Sequence, residues 1–184
     1  MGKIALIVGP HGVGKTTLFS FAKTKDDFLV FDGIQLPTNG YNLQMKDDFL
    51  AYEALYLKSI NKNNNTIKKS KRHGLVVRSV EEASYYFYFH ADTNLMKEYK
   101  KIFDDKSNIK ADCIIFLDAD YMTLQHRCNN DEVRDMAETN LWYEHEYNRY
   151  VNYWKHYPGV ITIDTIEKNT ETVYRELKEI ILSL

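Results

Sequence analysis

Five short runs of apolar residues interrupt an otherwise mixed chain: Ile4–Val8, Phe28–Phe31, Leu75–Val77, Cys113–Leu117 and Val160–Ile163. Each run is continuous rather than alternating, the pattern of strands covered on both faces in a parallel sheet. The spacers between them hold 19, 43, 35 and 42 residues, each longer than the dozen or so that a parallel crossover needs. Helical period fills those spacers. Phe49, Tyr52, Leu55 and Tyr56 mark a helix over Asp47–Asn61, and another spans Val80–Tyr88. Leu95, Tyr99 and Ile102 mark a third, Tyr143, Tyr147, Tyr150 and Trp154 a fourth, and Val173, Leu177 and Ile180 a fifth. Strand and helix in alternation predict an α/β fold of three layers: a five-stranded parallel sheet with helices on both faces.

At 184 residues the chain fits one domain, 1–184. Its net charge of -2 excludes a grip on nucleic acid or membrane by bulk charge, so neither is an expected partner. No apolar run approaches the roughly 20 residues of a membrane span, and no targeting segment is recognised. A cytoplasmic protein is expected. Cys113 and Cys128 read as ordinary thiols, and the histidines show no metal-ligand spacing. One segment stands apart: Lys58 to His73 carries six Lys or Arg, four Asn and no acid. It reads as a solvated connection, with contact to phosphates as the other reading.

The first apolar run leads directly into Gly9-Pro-His-Gly-Val-Gly-Lys-Thr16, a full match to G-x-x-x-x-G-K-[ST]. Gly9, Gly12 and Gly14 allow the backbone to curl into a nest whose N–H groups face an anion. The helix that begins here adds its positive end. Lys15 is expected to reach the outer phosphates and Thr16 to hold Mg²⁺. His11, Val13 and Thr17 complete the candidate triphosphate site, with His11 at the tip.

With those residues in place the sequence resembles the deoxynucleoside kinase and thymidylate kinase group of phosphate-loop kinases. Val77-Arg78-Ser79 is similar to that group's motif after the third strand, which implies that Arg78 contacts phosphates at the transfer site. Thr123-Leu-Gln-His-Arg127 resembles the entry to a lid around 121–138, with Arg127 as its arginine and Arg134 close by but out of register. Asn140 to Tyr147, continuing to Trp154, is similar to the helix after the lid. Two positions depart from the group: Val77 stands where an acid is expected, and Ala51 where a glutamine reads the base.

Asp32, at the end of the second strand, matches the group's catalytic carboxylate and is the candidate base or metal organiser, with a turn role as the alternative. Asp118 is a candidate displaced metal carboxylate, or else a helix cap. The reading is an ATP- and Mg²⁺-dependent kinase acting on a nucleoside or nucleoside monophosphate. Lys15, Asp32, Arg78 and Arg127 are its catalytic candidates. Tyr52, Glu53, Tyr56, Arg78 and Phe87 are the candidates for holding the acceptor. Val77 and Ala51 leave open a kinase of another small molecule, or a nucleotide-binding switch or slow ATPase. A homodimer is also left open.

Overall fold

In a computed structural model, which describes residues 1–34, 36, 46–90, 93–129 and 139–184, strand β1 (Ile4–Val8) is buried along its full length. The other strands are β2 (Leu29–Phe31), β3 (Gly74–Val76), β4 (Cys113–Asp118) and β5 (Val160–Asp164). They form one parallel sheet in the order β2-β3-β1-β4-β5. β3 pairs with β1 from Ile4↔Gly74 and with β2 from Leu29↔Gly74. β4 and β5 run in register from Ile114↔Val160 to Asp118↔Asp164. All five expected strands are present, with ends shifted by one residue at most. β1, β3 and β4 are buried as their unbroken apolar runs require, whereas the edge strands β2 and β5 are only partly covered, with Ile161 of β5 exposed.

Seven helices occur among the described residues: α1 (Lys15–Lys25), α2 (Lys46–Lys69), α3 (Val80–His90), α4 (Thr93–Phe103), α5 (Tyr121–Asn129), α6 (Thr139–Lys155) and α7 (Thr170–Leu182). Side-chain caps close several of their first turns. Asn169 accepts the N–H of Thr172 at the start of α7, and Ser79 Oγ accepts the N–H of Glu82 at the start of α3.

The basic segment is corrected by the structure: through Lys69 it is not a connection but the second half of α2. Leu57, Ile60, Asn64 and Ile67 are buried at spacings of a helical stripe. An asparagine in that stripe hid the period from the sequence. Its side chain has a structural use: Asn64 donates to the Ile109 carbonyl at 2.7 Å, and Asn61 accepts the Ile109 N–H at 2.8 Å. Lys68 is held by Asp112 at 2.6 Å. The asparagines thus tie α2 to the chain just before β4.

The described residues divide into two compact units, Met1–Leu6 with Leu29–Asp112 and Ile7–Phe28 with Cys113–Leu184. In the first, Leu57, Ile60, Val80, Ala83, Tyr99 and Phe103 form a buried cluster of α2, α3 and α4. In the second, Phe19, Phe116 and Trp154 are fully buried. There Tyr174 of α7 meets Phe21 of α1 edge-on at 5.3 Å and gives its hydroxyl proton to Asp27 at 2.7 Å. Cys113 and Cys128 are buried and form no disulfide.

Candidate functional site

The phosphate loop is built where β1 ends and α1 begins. Gly14 is the N-cap of α1 with φ 94°, a left-handed conformation that a side chain strains. At Gly9 the constraint is space: a Cβ would come within 2.7 Å of the Leu117 carbonyl oxygen and 2.8 Å of Val13 Cγ1. Val13 is buried under the loop while His11 is exposed at its tip. Leu18 N–H donates to the Gly14 carbonyl at 2.9 Å, the first hydrogen bond of α1. Thr16 and Thr17 lie exposed on that first turn.

The Lys15 ammonium donates to the carbonyls of Gly9 and, at 2.9 Å, of Pro10. It is therefore drawn back over the loop's own backbone. The Gly9 N–H donates at 3.1 Å to the hydroxyl of Tyr150, a residue of α6. The same helix sends the Tyr147 hydroxyl to the Ala119 carbonyl at 3.2 Å and Lys155 to Asp118 at 2.7 Å. Burial pushes the Tyr147 phenol above its ordinary range. α6 was visible in sequence as an aromatic stripe, but nothing local told that three of its side chains reach the ends of β1 and β4.

Asp118 Oδ2 is thus balanced by an ammonium, and its backbone carbonyl accepts both the N–H and the hydroxyl of Thr165 at 2.9 Å. Asp120, two residues on, caps α5 by accepting Thr123 N–H at 2.8 Å and its hydroxyl at 2.7 Å. Those bonds hold its carboxyl below the ordinary range. Arg127, near the end of α5, donates to the Thr165 hydroxyl at 3.0 Å and to its carbonyl at 2.8 Å. Among the described residues no cluster of three His, Cys, Asp or Glu could enclose a metal ion.

The first unit holds the other candidates. Asp32 follows β2 and is exposed. Tyr52, Glu53 and Tyr56 lie half-buried on α2. Glu53 accepts the hydroxyl proton of Tyr99 from α4. Burial holds the Glu53 carboxyl above the ordinary glutamate range, against the lowering effect of that bond. Burial, and then the nearby Glu53 charge, push the Tyr99 phenol far up. Phe49 stacks on Tyr99 with ring centroids 6.0 Å apart.

Arg78 sits just before α3 and is bound by Glu82 one turn further on. Val77 leaves no carboxylate in front of Arg78, and Glu82 supplies one from behind. The four-residue spacing was the signal that sequence reading passed over. Phe87 falls on α3, but its side chain, like Arg134 and the rest of residues 130–138 within the expected lid, lies outside the described residues.

A phosphate loop on a five-stranded parallel α/β sheet defines the class. No family model matches the sequence, and comparison with curated proteins gives no match. Solved structures do match. Deoxyadenosine kinase from M. mycoides with products dCMP and a flexible dCDP bound superposes with a TM-score of 0.68 at 17% identity. The match covers 99% of this chain and 100% of that one. The same enzyme with bound dATP gives 0.60 at 17% identity, covering 98% of this chain and 99% of that chain. With bound dCTP it gives 0.56 at 15% identity, covering 98% and 100%. The expected fold class is borne out: this chain has the α/β phosphate-loop fold of those kinase structures.

Proposed function

We propose that this chain is an ATP-dependent kinase that transfers the γ-phosphoryl group to a nucleoside or nucleoside monophosphate. It works as one domain, 1–184, with a lid around 121–138. The observation that carries the reading is the complete phosphate loop, with Lys15 on its carbonyls, at the end of β1. The full-length likeness in fold to a deoxyadenosine kinase whose structures hold dATP and dCTP supports it.

In this reading the loop N–H groups and Lys15 bind the β- and γ-phosphates, which requires Lys15 to exchange two carbonyl oxygens for phosphate oxygens. Gly9, His11, Gly12, Val13, Gly14, Thr16 and Thr17 form the rest of that site. The acceptor oxygen bonds to the γ-phosphorus, the bond from phosphorus to the bridging oxygen breaks, and ADP leaves. For a hydroxyl acceptor the proton passes to Asp32. Arg78, oriented by Glu82, stabilises charge on the transferred group, and Arg127 serves the lid. Tyr52, Glu53, Tyr56 and Phe87 hold the acceptor.

The exposed Thr16 hydroxyl, a hard oxygen donor on the first turn after the loop, fits one ligand position of Mg²⁺. Phosphates and water would complete the shell, as that ion prefers. Mg²⁺ when bound supplies neutralisation of phosphate charge. The protein is read as cytoplasmic; no helix among the described residues is long and apolar enough to cross a membrane.

A transfer assay with γ-labelled ATP and Mg²⁺ across deoxynucleosides, nucleoside monophosphates and unrelated small alcohols tests this reading. Label in a nucleotide product is the expected result. Label only in an unrelated alcohol, or only in free phosphate, overturns it.

A further inference from the structure

We propose that Tyr150, far outside the loop motif, is a positioning residue of the phosphate loop, acting through Gly9 on Lys15. The inference rests on the triphosphate-binding reading above. Gly9 is buried, so the N–H at its entry must find an acceptor inside the protein. Tyr150 Oη provides it at 3.1 Å. The carbonyl on the other side of the same residue accepts the Lys15 ammonium. Gly9 is therefore held on both flanking peptides, by Tyr150 behind and Lys15 in front. The space beside its Cα is already taken: a Cβ would come within 2.7 Å of the Leu117 carbonyl oxygen and 2.8 Å of Val13 Cγ1.

The anchor itself is stiff. The Tyr150 ring lies 6.5 Å from Phe116 of β4 and 6.1 Å from the fully buried Trp154, centroid to centroid. Lys155 fastens the same helix at Asp118. A hydroxyl on so fixed a ring defines the tilt of the Gly9 peptide, and through it the carbonyl from which Lys15 departs to meet phosphate. Packing alone needs only the ring. Positioning needs the oxygen.

Tyr150→Phe separates the two. Two readouts are followed in the full chain: hydrogen exchange at the Gly9 amide, and affinity for the non-hydrolysable triphosphate AMP-PNP with Mg²⁺ by calorimetry. The expected result is loss of Gly9 protection and an AMP-PNP Kd raised about tenfold, the scale of one net hydrogen bond. KM for ATP rises with it, while kcat at saturation stays within about threefold. Tyr147→Phe removes a neighbouring hydroxyl that does not touch Gly9, and it should leave Gly9 exchange at the wild-type rate. Unchanged Kd in Tyr150→Phe overturns the proposal. So does equal loosening of Gly9 by Tyr147→Phe, or faster exchange spread over all of β1 and β4, either of which would mark a packing role. If the wild-type protein itself binds no AMP-PNP, the triphosphate reading fails first and takes this one with it.

Discussion

The Arg78 side chain is 40% exposed, while the Glu82 side chain whose carboxylate binds it is 5% exposed. The pair is thus asymmetric: its cation faces water and its anion does not. Arg78→Ala removes the cation from beside a buried carboxylate and should cost about 1–3 kcal/mol of stability, discounted from a fully buried pair because one member is exposed. Glu82→Gln releases a cation that water can solvate and should cost about 1 kcal/mol or less. Turnover should fall in both, roughly 10²-fold for Arg78→Ala and roughly tenfold for Glu82→Gln. Urea unfolding and kcat measured together check the order. A Glu82→Gln variant with wild-type kcat would remove the orienting role.

Lys15→Ala deletes the ammonium seated on the Gly9 and Pro10 carbonyls. It leaves the fold intact, because the buried strand β1 and the α1 cap at Gly14 do not depend on it. Transfer should drop by about 10²–10³-fold, the cost of losing a group that stabilises transition-state charge, and triphosphate affinity should weaken. Steady-state kinetics decides. Undiminished turnover would place the chemistry elsewhere.

Asp32→Asn keeps shape and an acceptor oxygen but not the charge. If Asp32 takes the acceptor proton, kcat falls roughly 10²-fold or more with ATP binding unchanged. An asparagine serves equally well in a turn, so a variant at wild-type speed identifies Asp32 as a turn residue.

Glu53 yields a pH prediction. Its carboxyl holds its proton more tightly when folded than when unfolded, because burial raises its pKa. The folded state therefore binds more protons, and stability contributed here is lost as pH rises from the ordinary glutamate range, about 4.3, through the folded value. Glu53→Gln has no such loss and still offers an oxygen to the Tyr99 hydroxyl. Its Tm relative to wild type should become more favourable between pH 4 and pH 7. A Tm difference constant across that range would count against a raised Glu53 pKa.

The phosphate loop, all five strands and the existence of every helix predicted were legible in the sequence, because each is a local property. A strand buried on both faces shows as an unbroken apolar run, and a loop that cradles an anion needs glycines at set places. Arg78–Glu82 was also readable, as a four-residue spacing at a helix start. The length of α2 was not. Asn61 and Asn64 look like loop residues until the chain at 108–109 supplies their hydrogen-bond partners 45–48 positions away. Lys155 on Asp118, Arg127 on Thr165 and Tyr150 on Gly9 belong to the same kind: the last joins residues 141 apart. Hydrophobic period states which face of a helix is buried, whereas the partner of a polar atom on that face is chosen by the folded backbone that arrives beside it. Local pattern therefore determined the sheet and the anion cradle, and tertiary structure alone decided which side chains hold that cradle in shape.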